Sequence, residues 1–337
     1  MKSFNILKEY LPLLSHGSSN SDYPPFSRYI YSDGKYIHTY NNSVYVRVKL
    51  ILPFTGFVNI YILTDILNKM DAGELQCSID NRVLKLYDNS FKSNLNIEAF
   101  NPPDYSLVVS RLDDLKFIKV DDDLLDSLKT GVKFSSPADP DKMYVIVRDG
   151  ETFSTNGGMA FYYEKNYDIK DAVFVNSKIL SILDDSCEIA TMDYYTIVKS
   201  GDILFIFILN KISWSLSTIR NMYEKCYDNL EYICEFADLK NAVSRLNSLS
   251  YGEQEFYVNH DITPGMITVS YSSAINGSAS VSTKSETVAE KNLIINGQFL
   301  KKISVSDYKV YLSDGLKDGI VLHNDKYFSF IIGKEIK

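Results

Sequence analysis

One pattern recurs three times along this chain at nearly constant spacing. An apolar residue leads into a short amphipathic helix at Phe4 to Leu14, at Val120 to Leu128 and at Phe236 to Leu246, and the leading residues stand 116 apart each time. A second signature falls between them: Phe57-Val58-Asn59 with Ile62-Leu63, Phe174-Val175-Asn176 with Ile179-Leu180, and Ile294-Ile295-Asn296 with Phe299-Leu300, at steps of 117 and 120. Self-similarity at a fixed interval marks a structural unit used repeatedly. Six half-units of roughly 58 residues account for all 337, so the expected domains are 1–111, 112–226 and 227–337.

Each unit is long enough for its own core, and the 45% hydrophobic content with 25 tyrosines points to a globular, strand-rich chain. No apolar run reaches the ~18 residues of a membrane span, and the start MKSFNILKEY lacks the apolar stretch of a secretory signal, which predicts a soluble chain of the cytoplasm with no membrane partner. Cys77, Cys187, Cys226 and Cys234 are scattered without a CxxC pair and read as buried thiols. His16, His38, His260 and His323 are equally dispersed, and HExxH, GxSxG and P-loop lysine motifs are lacking. The expectation is therefore no catalytic residue, no metal site and no cofactor. A net charge of −8 would argue against a nucleic-acid partner if spread evenly, because DNA affinity rests on neutralised phosphates. One basic face on an acidic body escapes that objection.

In outline, the first unit has strands at Phe26 to Tyr31, Lys35 to Tyr40 and Ser43 to Leu52, then a helix near Thr64 to Met70 and strands at Leu75 to Ile79, Val83 to Leu86 and Leu95 to Ala99. The second and third units repeat this, with later helices at Ser177 to Leu183 and Gly297 to Ile303, and with Ile219 to Leu230 read as a linker. Many strands, few short helices and frequent turns suit an α+β fold, each unit two β-α-β-β-β half-units with helices on one face of antiparallel sheets. The six helical regions all carry cations: Lys2 and Lys8, Lys69, Lys129 and Lys133, Lys178, Lys240 and Arg245, Lys301 and Lys302. Amphipathic helices commonly expose lysine, so ordinary solvation stands beside phosphate binding as a reading.

Four further stretches stand out: Asp141-Lys142-Met143-Tyr144-Val145, Phe153-Ser154-Thr155-Asn156-Gly157 and Val173 to Leu180 in the second unit, and Ala99-Phe100-Asn101-Pro102-Pro103-Asp104-Tyr105 at the end of the first. In these stretches, their order and their interval, the chain resembles the DNA sliding clamp family, the three-domain beta subunit of bacterial DNA polymerase III and its phage-encoded relatives. The resemblance covers the whole chain. What it implies is a ring of six similar domains, closed by a head-to-tail homodimer, with helices facing duplex DNA without reading its sequence. A polymerase tethered by the ring and a clamp loader would be the other partners. It also implies a pocket for a short apolar peptide, mapped here onto Thr155, Gly157, Met159, Ala160, Phe330, Ile331 and Ile332, with core packing as the alternative for the aliphatic positions. Three departures set this chain apart: Gly158-Met159 stands where the family has His-Arg, Lys211 to Leu216 replaces a Phe-Pro-Asp-Tyr segment, and Gly333 to Lys337 replaces the Met-Pro-Met-Arg ending. They suggest a phage-type clamp with altered peptide preference.

The run Asp121-Asp122-Asp123 sits at an expected helix start, where carboxylates favour the helix dipole, so capping outweighs a metal site with Asp126. Asp113-Asp114 and Asp184-Asp185 read as solvated turns, Thr155 to Gly158 as a tight turn, and Trp214 as packing near the pocket. The leading expectation is a non-enzymatic processivity factor. The alternative is a protein-interaction scaffold with a degenerate clamp fold that does not encircle DNA.

Overall fold

The computed structural model of the protein describes residues 2–21, 24–70, 75–165, 167, 171–210, 215–253, 255–303 and 307–335. In chain order α1 (Lys2–Leu14) is followed by β1 (Tyr29–Ser32), β2 (Ile37–Tyr40) and β3 (Val44–Val48). Next come β4 (Gly56–Asn59), α2 (Ile60–Lys69), β5 (Gln76–Asp80), β6 (Val83–Tyr87), β7 (Lys92–Asn96) and the short α3 (Ser106–Ser110). β8 (Ile118–Lys119) leads into α4 (Asp122–Val132), β9 (Val145–Arg148), β10 (Glu151–Thr155) and β11 (Met159–Glu164). β12 (Val173–Val175) leads into α5 (Ser177–Leu180), β13 (Glu188–Met192), β14 (Tyr195–Ser200) and β15 (Ile203–Ile208). After α6 (Leu216–Tyr227), β16 (Leu230–Glu235) leads into α7 (Phe236–Leu246), β17 (Tyr257–Thr263), β18 (Met266–Ser273) and β19 (Gly277–Lys284). β20 (Lys291–Asn296) leads into α8 (Gly297–Lys302), β21 (Lys309–Ser313), β22 (Gly319–His323) and β23 (Phe328–Ile332), and β24 (Lys334–Glu335) closes the series. The strand, helix, three-strand half-unit expected from the sequence therefore recurs, in an α+β fold of antiparallel sheets.

The repeated asparagine has a physical cause. Asn59 precedes α2 and its side chain accepts from the backbone N–H of Tyr61 and Ile62. Asn176 does the same for Ile179 at 2.9 Å, and Asn296 for Gln298 at 3.0 Å. Each satisfies a donor that the first turn of a helix leaves without an intrahelical acceptor.

The chain forms two compact units, residues 1–121 with 181–210 and residues 122–180 with 211–337. The first contains an eight-stranded sheet, ordered β4-β1-β2-β3-β15-β14-β13-β8, and the three-stranded β5-β6-β7. Its α1 buries Phe4, Leu7, Leu11 and Leu14 at helical spacing and packs on α2 and β3. On other sheet positions Tyr45, Leu204 and Ile206 join Val108 and Leu112 from the α3 region in a separate cluster, so both faces are covered.

The second unit contains an eight-stranded sheet, β12-β9-β10-β11-β23-β22-β21-β16, and a five-stranded sheet, β19-β18-β17-β20-β24. Alternation on β10 and β11 again serves two faces. Ser154 Oγ donates to Gly131 O of α4 at 2.7 Å, whereas Phe153, Ala160 and Tyr162 join Ile219, Met222 and Tyr223 of α6. The segment read as a linker from Ile219 is therefore a helix: Ile219, Met222, Tyr223 and Cys226 fall at i, i+3, i+4, i+7 on its packed face. Its exposed charges obscure that period in the sequence.

Smaller corrections follow from local geometry. Val120 is buried ahead of the helix, as its place as the entry residue predicts, its N–H bonded to Cys187 O at 2.9 Å, and α4 starts at Asp122 with two acids in its first turn but runs on to Val132. Phe26 lies in a 3₁₀ turn, Pro25–Arg28, because Pro24-Pro25 fixes the backbone before β1. The helix expected at Ser177 to Leu183 is one turn, and β7 sits three residues earlier than expected. Among the described residues no helix is long and apolar enough to cross a membrane.

Candidate nucleic-acid and partner surfaces

In the first unit α1 and α2 pack together and place Lys8 and Lys69 on their outer surface. Lys8 is half-buried and its Nζ donates to Leu67 O at 3.1 Å, closing the last turn of α2. Lys69 is exposed and pairs with Asp65 one turn back at 2.6 Å. Such an exposed pair contributes about 0.3–0.5 kcal/mol and opens readily toward a phosphate. Lys2 lies in α1, its side chain outside the described residues. The same surface carries apolar groups: Ile6, Tyr61 and Ile62 are 39, 38 and 51% exposed.

The second unit groups α4 with α5 and α7 with α8. Lys129, Lys178, Arg245 and Lys302 are exposed. Lys240 Nζ donates to Ile303 O at 2.5 Å, beyond the last turn of α8, and Lys301 bonds Asn247 Oδ1 with its ammonium 5.9 Å from the Phe256 ring centre. Lys133 follows the end of α4. Burial pulls its ammonium below the usual lysine range, Asp126 opposes that, and the charge of Lys240 adds to it, so these two cations are near enough to repel. Lys8, Lys240 and Lys301 thus combine a structural contact with positive charge on a helical surface.

The acids near α4 take part in a network that sequence spacing did not reveal. Asp123 accepts from Lys165 and Lys326, and hydrogen bonds from both hold its carboxyl below the usual range. Asp126 accepts from Lys326 at 2.9 Å and from Tyr327 Oη. Lys165 is 42 residues from Asp123, and Lys326 is 203, too far for local pattern to link. A second unforeseen pair joins Arg220 of α6 to the largely buried Glu151 of β10.

The positions mapped for peptide binding meet at the junction of β10, β11 and β23. Met159 pairs with Ile331 and Ala160 with Phe330 across antiparallel strands. Thr155 Oγ1 donates to Met159 O at 2.7 Å and accepts from Gly157 N–H at 3.0 Å, shaping the turn. Gly157 has φ +91°, a conformation that favours glycine. Met159, Ala160, Phe330 and Ile331 are at most 3% exposed and lie in the core, while Ile332 is 39% exposed. The structure brings these residues together, then, but presents only Ile332 and the turn outward. At Gly158 a Cβ would lie 2.5 Å from the Phe299 ring, so an aromatic group from α8 occupies the space a side chain would need. Trp214 and 211–213 lie outside the described residues.

No protein-family model matches the chain, and no curated protein matches it in sequence. Solved structures do. The DNA polymerase sliding clamp of Bacillus subtilis is similar with a TM-score of 0.77 at 15% identity, over 99% of this chain and 98% of that one. The DNA polymerase III subunit beta of Pseudomonas aeruginosa gives 0.78 at 14% identity over 99% and 98%, and the pol III beta of Caulobacter crescentus 0.78 at 13% over 99% and 98%. From its first described helix to its last strands, this chain has the fold of the bacterial DNA polymerase III beta sliding clamps.

Proposed function

We propose that this protein is a non-enzymatic processivity factor, a sliding clamp that encircles duplex DNA without sequence preference and tethers a DNA polymerase. The observation that carries the reading is the likeness to polymerase sliding clamps over essentially the whole of both chains. The proposed domains are 1–111, 112–226 and 227–337, two copies forming a head-to-tail ring in the cytoplasm of a bacterium or of its phage-infected host. Lys2, Lys8, Lys69, Lys129, Lys133, Lys178, Lys240, Arg245, Lys301 and Lys302 would supply diffuse attraction to phosphate, which positions without specifying sequence. A ring raises the local concentration of a bound polymerase at the primer end. A clamp loader would open it. The turn at Thr155 and Gly157 with Met159, Ala160, Phe330, Ile331 and Ile332 is the proposed partner-peptide region. A peptide there would engage the turn and Ile332, or displace Phe299.

The direct test is topological: protein loaded on nicked circular plasmid should stay bound through gel filtration and be lost when the plasmid is linearised. Equal loss from both forms would reject the clamp. The scaffold reading draws on exposed Ile6, Tyr61 and Ile62, which place apolar surface where a DNA-facing helix pair would carry charge. It predicts no retention on either form and polymerase stimulation indifferent to charge reversal at Lys129, Lys178 and Lys301.

A further inference from the structure

Positive charge also gathers on the large sheet of the first unit, on the face away from α1. Thr39 and Val46 stand opposite one another across β2 and β3, and Thr39 Oγ1 donates to Leu14 O at the end of α1 at 2.7 Å, so these positions look toward that helix. The neighbouring pair, His38 and Arg47, points to the other face. So do Leu204, opposite Arg47 on β15, and Lys199, opposite Leu204 on β14. Lys49 follows Arg47 by two residues and shares its side. Arg47 and Lys199 lie far apart in sequence, and only the pairing of β3 with β15 brings them together.

These groups surround a shallow cavity of about 180 Å³ lined by Tyr36, Arg47, Lys49, Lys199, Gly201 and Asp202 among others. Two of the three cations are held by aromatic rings. The Arg47 guanidinium lies 4.6 Å from the Tyr36 ring centre, and the Lys199 ammonium 3.8 Å from the Phe117 ring centre. Among the described residues no hydrogen bond or ion pair reaches the side-chain nitrogens of Arg47, Lys49 or Lys199. Asp202 supplies its carbonyl instead, accepting from the Lys49 N–H at 3.0 Å. Beside it Gly201 has φ +54° and open space where a Cβ would stand, which leaves the backbone of this turn accessible.

Like charges that share a cavity without a counter-ion repel one another, and a bound anion removes that cost. Three cations against one carboxylate leave an excess of two positive charges. That excess matches a phosphate monoester, which carries about −1.5 to −2 near pH 7, better than it matches a single carboxylate or phosphodiester. The planar fork of Arg47 suits two phosphate oxygens at once, with the lysines as point charges beside it. We propose that this cavity binds a dianionic phosphate group, free or as the terminal group of a nucleotide. The site is separate from the helical surface offered to DNA, and it stands whether or not the chain closes into a ring.

Calorimetric titration at constant ionic strength tests it, with inorganic phosphate and adenosine monophosphate as probes and nitrate as a monoanionic control. Phosphate should bind saturably, one per chain, and nitrate should not. Equal affinity for the two phosphate probes makes the free anion sufficient, and tighter binding of the monophosphate assigns the site to a nucleotide. Arg47→Gln and Lys199→Gln should each weaken phosphate binding by about tenfold or more, as loss of a charge-assisted hydrogen bond does. Lys284→Gln, which removes the same charge from the second unit, should leave it unchanged. If circular dichroism shows that Arg47→Gln disturbs the sheet, the exposed Lys49 takes its place, and Lys49→Gln should weaken binding in the same direction. Absence of saturable heat, nitrate binding as well as phosphate, or equal weakening by Lys284→Gln would each overturn the site. Phosphate should also raise the unfolding temperature of the unaltered chain but not of the double variant Arg47→Gln with Lys199→Gln. An equal rise in both would leave ionic screening only and reject the site.

Discussion

Gly158 shows how one position can both resemble and depart from a family pattern. Phe299 reaches across from α8 and its ring edge fills the space beside the glycine Cα. Gly158→His should therefore destabilise the protein by about 1–3 kcal/mol, as overpacking does, and Phe299→Ala in the same chain should recover much of that loss. Urea midpoints of the two single variants and the double variant check this; additive losses would mean that the ring and the new side chain do not compete. His260 is a second informative residue. It is 2% exposed and its Nδ1 lies 3.0 Å from Val258 O; burial pushes it down to about 4, against the opposing backbone hydrogen bonds with Val258 and Leu293. The unfolded chain then binds this proton near pH 6.5 and the folded one only near 4. Stability from His260 is complete above pH 6.5 and falls as pH drops through that window, by about 3 kcal/mol at a cost of 1.36 kcal/mol per unit. His260→Leu should flatten stability between pH 6.5 and 4.5 in denaturant titrations; an unchanged slope would exclude this histidine as the source.

At the scale of elements, the sequence made the half-unit legible because its signals are local: an apolar stripe, an asparagine cap, a two-residue turn. α7 spans Phe236–Leu246, the third of the three repeated helices expected from the apolar spacing. α6 was not legible, because Arg220, Glu224 and Lys225 interrupt its apolar positions and its partner strands lie far away in sequence. Only the folded sheet shows Tyr223 stacked on Tyr162 at 4.2 Å and edge-on to Phe328. The candidate site was legible in part for the same reason. Helical cations can be found by spacing, but the bonds from Lys8, Lys240 and Lys301 to neighbouring elements cannot. Arg220→Ala should cost about 2 kcal/mol, at the lower end for a pair with one buried partner because the guanidinium is partly exposed. Thermal unfolding reads this, and Glu151→Gln should lower the cost of the second substitution if the two act as a pair.

For the whole molecule, a net charge of −8 and a proposed polyanionic partner are compatible only if the cations are concentrated on the helices. Replacing Lys129, Lys178 and Lys302 together by Ala should weaken DNA retention and lower the salt-dependence slope by about 0.9 for each phosphate no longer neutralised, whereas single replacements should have small effects. An unchanged slope for the triple variant would remove these residues from the interface. The order of the two units along the chain has a different consequence. The first unit draws on residues 181–210 after the chain has already supplied part of the second, and β3 finds β15 only across more than 150 residues. During synthesis the amino-terminal sheet is thus a half-sheet with a bare apolar edge until β13 to β15 leave the ribosome, and β11 waits longer still for β23. The nascent chain passes through a long interval in which its most apolar strands have no mate, the interval in which unpaired strand edges expose a chain to aggregation.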